Sequence, residues 1–317
     1  MAGGGRQRPL PQETRERRPL SFLGFSALVL LLCLPLSVSA QDSAQVAPDT
    51  LPRFTIDAET GLTEGNLGWV VVTPGHGQTL AGGEAAGEPL HFEPNAGGSL
   101  RALIGVPVEV GDSFEVTLFL EAGDRRDTAT ASLPVRRSGY PSEVLKVAPG
   151  FVRPDSAAAA RIQSEIMKSR EVSRRSQART RLWGGPFRLP RSSRITSPFG
   201  SARVFNGAVQ SRHLGTDFAG AVGEPVLAAG RGVVALVADF YLAGGTIYLD
   251  HGAGLVTAYF HLSRAYVKKG QTVRAGQRIG AVGRSGRVTG PHLHWVARYG
   301  TISVDPMSLL QLVPPTP

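Results

Sequence analysis

From residue 267 to residue 280 the sequence reads VKKGQTVRAGQRIG, with glycine as its fourth, tenth and last residue. Glycine at such intervals is typical of tight bends between short strands, because it tolerates backbone conformations that other residues avoid. Strand-like runs precede this stretch, and no convincing helix pattern interrupts them. These runs are Pro225–Asp239, Thr246–Asp250 and Leu255–His261. The sequence therefore predicts an all-β domain with sharp corners at residues 194–310.

Short runs with strand character also occupy the region between residues 54 and 140. In Phe114-Glu115-Val116-Thr117-Leu118 the apolar side chains alternate, which places them on one face of a strand. Glycine, proline and aspartate separate the runs, and this spacing predicts a small β-sandwich, immunoglobulin-like in size. The runs are Gly68–Thr73, Leu90–Glu93, Leu100–Val106, Ser113–Leu120 and Thr128–Val135.

A short helical connector is predicted between these two regions, within residues 141–193. Asp155-Ser156 is a candidate N-cap for a helix that continues through Ala157–Arg179. Helical spacing places three apolar side chains on one stripe, which we expect to dock against a domain. The stripe consists of Ile162, Ile166 and Met167. The predicted fold class is therefore mainly β, with an N-terminal sandwich, a connector and a C-terminal β domain.

The first 40 residues have the features of a signal peptide. A basic stretch at Arg15–Arg18 precedes an apolar run from Phe22 to Leu36, which is too short to span a bilayer comfortably. Small residues at Val38 and Ala40 suit cleavage before residue 41. We therefore predict a signal peptide at residues 1–40, a flexible segment at 41–53, and export to the periplasm, the cell envelope or the medium. An uncleaved membrane anchor is the alternative.

The cysteine content limits the chemistry of the exported protein. Cys33 is the only cysteine and lies in the predicted signal peptide. A lipid anchor at Cys33 is disfavoured, because Leu32 is bulky for the position before a lipidated cysteine. Without Cys33 the chain has no disulfide, no thiol nucleophile and no thiolate ligand, so a metal would have to be held by histidine and carboxylate.

The formal net charge is +9, and much of the excess lies between Arg161 and Arg194. Ten lysines and arginines stand there against Glu165 and Glu171. Such a segment suits an acidic wall polymer, an anionic membrane or nucleic acid, and it is equally well explained as a solvated helix. The expected export argues against nucleic acid. Membrane contact is expected only transiently, through the signal peptide, and the oligomeric state is left open.

Four histidines near the C-terminus have spacing that suits catalysis. His292 and His294 are two residues apart, so on a strand they face the same side, and His213 is followed four residues later by Asp217. Two histidines and one carboxylate form a common catalytic zinc set, which leaves a fourth position for water. Further histidines, His261 among them, would then be available for proton transfer. Each motif alone is weak, but their combination in one domain is much more specific.

Three other histidines are interpreted differently. His76 and His91 have no partners at ligand spacing, so a surface or structural role is the better interpretation. His251 is placed in a turn between strands, as a structural or groove-lining residue.

An ordered series of motifs from Ile195 to Leu309 resembles the lysostaphin-type, or LytM-domain, zinc metallopeptidases. The motifs are ITSPFG at 195–200, HLGTD at 213–217, PVLAAG at 225–230, LDHG at 249–252, YFHLS at 259–263, TGPHLH at 289–294 and Asp305-Pro306. The resemblance implies an antiparallel β domain with a groove and peptidase activity on peptide cross-links of peptidoglycan. One departure is Val296, where the family often has an acidic residue.

The resemblance also implies roles for five positions. His213, Asp217 and His294 fall where the family binds Zn²⁺, and His261 and His292 fall where it has two catalytic histidines. Which of these two takes the proton from water is left open. So are the bond that is cut and any inhibition of the groove by the connector or the N-terminal domain.

Three alternatives remain beside the peptidase. The first is a LytM-like protein that is catalytically silent and activates another cell-wall hydrolase, although such proteins usually lack some of the five residues. The second is a barrel-sandwich hybrid of the lipoyl-carrier or sugar-phosphotransferase type, against which the signal peptide argues. The third is a wall-binding protein whose histidines only hold a metal.

Overall fold

The computed structural model describes residues 55–59, 61–207 and 209–312. The predicted signal peptide at 1–40 and the predicted flexible segment at 41–53 lie outside these residues. Within the described part of the chain, no helix is long and apolar enough to cross a membrane.

The N-terminal part of the described chain consists of two β-sheets. One has four strands in the order β1-β3-β7-β6 and the other five in the order β2-β9-β8-β4-β5. The strands are β1 Thr55–Ala58, β2 Leu62–Thr63, β3 Leu67–Thr73, β4 Thr79–Ala85, β5 Glu88–Pro89, β6 Phe92–Pro94, β7 Leu100–Gly105, β8 Ser113–Ala122 and β9 Arg125–Arg136. Alternate residues of β8 are buried, among them Phe114, Val116 and Leu118, as the sequence pattern predicted.

The connector contributes one strand and one helix. Strand β10, Ser142–Leu145, pairs in parallel with β12 of the C-terminal region. A 3-10 turn at Pro149–Phe151 leads to helix α1, Ser156–Gln177, and the Asp155 side chain accepts a hydrogen bond from the Ala158 amide at 2.8 Å. The predicted N-cap is therefore confirmed.

The predicted docking stripe of the helix is wrong. Met167 is 62% exposed and Ile166 is 37% exposed. The buried residues of α1 are mostly small or polar, namely Glu165, Ser169, Val172, Ser173 and Ser176. Small side chains let the helix approach the sheet closely, and Val172 packs with Val296 in a small apolar cluster. The valine that departs from the family pattern thus lies under the helix.

The C-terminal region is a long antiparallel sheet with short additions. Its main path runs β11-β14-β21-β18-β17-β16-β19, and β12 and β13 form a smaller sheet with β10. The strands are β11 Ile195–Ser197, β12 Ala202–Phe205, β13 Val209–Arg212, β14 Thr216–Ala219, β15 Pro225–Leu227, β16 Gly232–Phe240, β17 Gly244–Gly252, β18 Leu255–Ala265, β19 Thr272–Val273, β20 Arg278–Val282, β21 His292–Tyr299 and β22 Ile302–Val304, followed by a 3-10 helix at Pro306–Gln311. The mainly β prediction is confirmed.

Strand boundaries differ from the sequence prediction in two places. The run predicted at Pro225–Asp239 is interrupted between β15 and β16, and β18 continues past His261 to Ala265. Two glycines of the opening motif behave as expected, since Gly270 and Gly276 have φ of +87° and +79°, a conformation that side chains with a Cβ rarely adopt. Gly280 lies inside β20 and not at a bend.

The N-terminal sheets and the C-terminal sheet share one apolar core. Trp69 of β3 lies 6.4 Å from Trp183 of the connector, measured between ring centroids. Polar contacts support this packing, because the Tyr299 hydroxyl donates to the Pro89 carbonyl at 2.8 Å and the Thr301 amide donates to Glu88 at 2.7 Å. This packing supports the back of the strands that carry the candidate site.

Candidate active site

Strands β14 and β21 bring the three predicted metal ligands together. Asp217 pairs directly with His294 in the antiparallel register, and His213 lies just before β14. Asp217 Oδ1 is 2.7 Å from His294 Nδ1 and 3.1 Å from His213 Nε2, and the two nitrogens are 2.9 Å apart. Among the described residues these three form the group of side chains that could hold a metal ion.

The hydrogen bonds of His213 show that this group suits a cation. Its Nδ1 lies 2.9 Å from the Pro198 carbonyl oxygen, which can only accept, so Nδ1 carries the proton. In the neutral ring the lone pair is then on Nε2, which faces the acceptor atom Asp217 Oδ1. Two acceptor atoms 3.1 Å apart, here His213 Nε2 and Asp217 Oδ1, repel each other unless a cation lies between them. The donor set fits zinc, which is commonly bound by two imidazoles and one carboxylate.

Burial controls the charges of the same group. Burial lowers the pKa of His294 to about 4, which leaves the ring neutral and able to donate a lone pair near neutral pH. Burial opposes ionisation of Asp217 too, but His294 and His213 hold the pKa of its carboxyl well below the usual range. The cluster therefore combines the neutral imidazole of His294 with the carboxylate of Asp217.

Gly215 allows the ring of His294 to approach the first motif. A Cβ at this position would lie 2.6 Å from His294 Cε1 and 2.6 Å from the Trp295 carbonyl oxygen. Both distances are shorter than real Cβ contacts, so no other residue fits without moving the ligand strand. The glycine between the histidine and the aspartate is therefore part of the geometry of the candidate metal site.

His261 and His292 lie beside this cluster. Their ring centroids are 4.8 Å apart, and the ring centroid of His261 is 5.8 Å from that of His294. His292 Nε2 is 3.6 Å from Asp217 Oδ1. The structure thus brings all five predicted site residues into one place.

Both histidines have the same tautomer. His261 Nδ1 lies 2.8 Å from the Ser285 carbonyl oxygen, and His292 Nδ1 lies 2.9 Å from the Gly290 carbonyl oxygen. Each Nδ1 therefore carries a proton and donates it, so in the neutral ring each Nε2 is a proton acceptor. Burial lowers the pKa of His261 to about 3, so its ring is neutral near neutral pH.

A β-bulge directs His261 into the site. The pairing of β18 with β17 shifts between Tyr259 and Leu262, and His261 has φ of +59°. This left-handed conformation is uncommon for a residue with a side chain and costs on the order of 1 kcal/mol. Its amide donates to the Ala243 carbonyl at 2.8 Å, which fixes the distorted backbone.

Three residues that the sequence analysis did not identify hold the metal-site residues from behind. Arg203 Nη2 donates to Asp217 Oδ2 at 2.8 Å and to Ser197 Oγ at 2.7 Å, and Arg203 Nε donates to Glu143 Oε2 at 3.0 Å. Ser197 Oγ donates to Glu143 Oε1 at 2.7 Å and lies 3.0 Å from His213 Nδ1. Such outer contacts orient ligands and tune their affinity.

The remaining histidines lie away from the cluster. His251 belongs to β17, is fully buried, and contacts the Arg231 carbonyl oxygen at 2.7 Å and the Thr257 hydroxyl at 2.8 Å. It does not line the groove, so the structural interpretation holds and the placement in a turn is wrong. His91 Nε2 contacts Gln177 Oε1 at 2.6 Å, and His76 is exposed.

A cavity of about 910 Å³ contains all five predicted site residues. The sheet forms one wall through β14, β18 and β21. The connector forms another through β10 and α1, with Val144, Ile162 and Ile166 among its apolar lining. This volume is in the range of ligand-binding clefts.

Comparison with known proteins agrees with this geometry. Residues 211–306 match Peptidase family M23. Over 103 residues the chain is 47% identical to the peptidoglycan DD-endopeptidase ShyA of Vibrio cholerae, a match that covers 32% of this chain and 24% of ShyA. Over 117 residues it is 38% identical to the DD-carboxypeptidase/endopeptidase Mpg of Neisseria meningitidis, covering 37% of this chain and 27% of Mpg. The chain thus spans about a quarter of the length of these relatives.

A solved structure extends the likeness beyond the matched segment. The crystal structure of a peptidase M23 from Pseudomonas aeruginosa superposes with a TM-score of 0.60 at 26% identity, covering 78% of this chain and 94% of that one. The likeness therefore includes regions outside residues 211–306. The region that carries the five clustered residues is the one that matches peptidase family M23.

Proposed function

We propose that this protein is an exported, zinc-dependent endopeptidase that hydrolyses peptide cross-links of bacterial peptidoglycan. The convergence of His213, Asp217 and His294 beside two further histidines, in a segment that matches family M23, carries this proposal. The relatives named above as peptidoglycan endopeptidases support the substrate class. The predicted signal peptide supports export, because peptidoglycan lies outside the cytoplasm.

The five residues divide into two groups with different tasks in such a reaction. His213 Nε2, Asp217 Oδ1 and His294 Nδ1 would hold the ion, and zinc supplies Lewis-acid chemistry to the scissile carbonyl when it is bound. His261 and His292 each present an unprotonated Nε2, so either can take the proton of the attacking water and return a proton to the leaving amine. Their Nδ1 hydrogen bonds to backbone carbonyls keep both rings in the required tautomer.

The test combines metal analysis with a cleavage assay on the full chain. We expect about one zinc per chain by elemental analysis and release of new amino groups from purified peptidoglycan. Chelation and Asp217→Ala should abolish both. Asp124→Ala, an exposed substitution in the turn between β8 and β9, is the matched control and should change neither.

The other outcomes distinguish the alternatives. Zinc binding without cleavage would support the catalytically silent activator, which should then stimulate a second wall hydrolase. Absence of zinc from a folded chain would contradict the metal site itself.

A further inference from the structure

Three arginines that line the site cavity have no acidic partner among the described residues, namely Arg194, Arg287 and Arg298, and of these Arg298 contacts the Ser169 hydroxyl at 3.3 Å. Arg287 lies in the loop between β20 and β21, lines the cavity and is only partly exposed. Its side chain makes neither an ion pair nor a hydrogen bond with any residue in the described part of the chain. A partly buried charge without a partner is unfavourable in a folded protein, which indicates a role for Arg287 in binding.

The position of Arg287 is fixed by its surroundings. The guanidinium carbon stacks 4.3 Å from the ring centroid of Phe205, a buried residue of β12. The Arg287 amide donates to the Leu242 carbonyl at 2.8 Å, and Gly286 packs so closely on Leu242 that a Cβ there would lie 2.5 Å from its carbonyl oxygen. Stacking on an aromatic face leaves the edge of the guanidinium free to donate hydrogen bonds.

The loop connects Arg287 to the candidate catalytic residues. Ser285, two residues earlier, accepts the hydrogen bond from His261 Nδ1. His292 follows five residues later, at the start of β21. A group bound by Arg287 would therefore lie in the same cavity as His261 and His292.

The acidic groups of the cavity are already engaged. Glu143 pairs with Arg203, Asp217 pairs with Arg203 and the histidines, and Glu165 pairs with Arg161 at 2.7 Å. Arg203 is thus neutralised, whereas Arg287 is not. Burial, and then the positive charge of Arg203, lower the pKa of Arg287, which an added anion would relieve. Arg194 also faces the cavity but is exposed, so water solvates its charge.

We propose that the guanidinium of Arg287 binds a carboxylate of the peptide substrate, carried by a residue next to the scissile bond. The inference rests on the proposed function for the identity of the substrate, and it adds a requirement for an acidic group at one subsite. A planar guanidinium forms two parallel hydrogen bonds with a carboxylate, a geometry that lysine cannot reproduce. The site therefore selects cross-links that contain an acidic diamino acid over neutral bridges made of glycine.

The test compares two synthetic cross-linked peptides that differ in one group. One has a free carboxylate on the residue next to the scissile bond, and the other has a carboxamide there. We expect the full chain with zinc to cleave the carboxylate peptide with a kcat/KM at least about tenfold higher, as one charge-assisted pair provides. Arg287→Gln should remove this preference by slowing only the carboxylate peptide, and Arg287→Lys should keep part of it.

Arg284→Gln is the matched control, because Arg284 lies in the same loop but is exposed and does not line the cavity. It should retain the full preference. Equal cleavage of the two peptides by the unmodified chain would overturn the inference, as would an equal loss for both peptides in Arg287→Gln. If Arg287→Gln fails to fold, Arg287→Lys is used instead. A reduced preference for the carboxylate peptide in Arg287→Lys supports the inference, and an unchanged preference overturns it.

Equilibrium binding separates this inference from the proposed function. If the chain cleaves neither peptide, the dissociation constant of each peptide is measured by titration calorimetry, with the full chain and with Arg287→Gln. Tighter binding of the carboxylate peptide that is lost in the variant supports the arginine subsite, even though hydrolysis has failed. Equal binding of the two peptides overturns it.

Discussion

The cavity has two walls of different origin, the sheet and the connector. The sheet wall contains His261, His292 and His294, which lie on paired strands and are largely buried. The connector wall contains Val144, which is 76% exposed, and Ile166, which is 37% exposed. Hydrogen-bonded strands hold catalytic groups within narrow limits, whereas an exposed apolar wall tolerates different ligands. We therefore expect the proposed reaction to depend on the sheet wall and substrate binding to depend in part on the connector wall.

The largest effect is expected from the sheet wall. His292→Ala or His261→Ala should lower kcat by about 10²- to 10⁴-fold, because each removes a proton acceptor. Zinc content should stay at one per chain, since neither residue is a proposed ligand. Parallel elemental analysis and cleavage assays test this point. A loss of zinc in these variants would mean that the division into ligands and proton-transfer residues is wrong.

A large effect of pH on stability is expected at His251. This histidine is buried in the same sheet but lies outside the cavity, so we expect it to affect stability and not catalysis. Burial lowers the pKa of His251 to about 4 from its usual 6.5. The unfolded chain therefore binds a proton between these pH values while the folded chain does not, so stability is lost as pH falls from about 6.5 to about 4. Over this pH interval the titration of His251 should lower the free energy of unfolding by about 3 kcal/mol.

Denaturant unfolding at several pH values measures this contribution. His251→Asn should reduce the slope of unfolding free energy against pH in this interval, whatever its effect on stability at neutral pH. His76→Asn is the control, because His76 is exposed, and it should keep the slope of the unmodified chain. An unchanged slope in His251→Asn would show that other titrating groups determine how the free energy of unfolding depends on pH.

An intermediate effect is expected at Glu143, where the connector contacts the metal site. Glu143→Gln removes the charge that holds Arg203 and Ser197, so the contacts behind Asp217 and His213 are weakened. We expect zinc affinity to fall about 10-fold or more, as is usual for residues that orient ligands. Competition with a zinc-binding dye measures this, and Lys146→Gln, an exposed substitution beside β10, should have no effect.

The smallest effect is expected from the exposed apolar residues of the connector wall. Ile166→Ser should raise KM a few-fold and leave kcat unchanged, because it alters contact with substrate far from the reacting atoms. Its effect on the free energy of unfolding should stay within about 0.5 kcal/mol. Steady-state kinetics on a soluble cross-linked peptide tests this, and a decrease in kcat would show that the connector also acts on the reaction.

The sequence predicted the sheet wall better than the connector wall, for physical reasons. His292 and His294 are two residues apart on a strand, so spacing alone placed both on one face. The glycines after residue 267 indicated tight turns that the structure contains. Asp155 was identified as an N-cap because side-chain capping depends only on local sequence.

Features that depend on long-range packing were not predictable in this way. The docking stripe of α1 was misassigned, because the helix approaches the sheet through serines and Val172 and leaves Met167 exposed. Arg203 is one of 34 lysines and arginines, and nothing in its local sequence distinguishes it from the others. Glu143 lies 74 residues before Asp217, and only the pairing of β10 with β12 brings it close.

The left-handed backbone of His261 has a consequence for how this position is maintained. Glycine adopts φ of +59° without the steric penalty that a histidine pays there, so the fold by itself favours glycine at residue 261. Substitution of His261 by glycine would therefore relieve the local backbone strain and at the same time remove the proposed proton acceptor, so backbone conformation and the proposed activity favour different residues at this position.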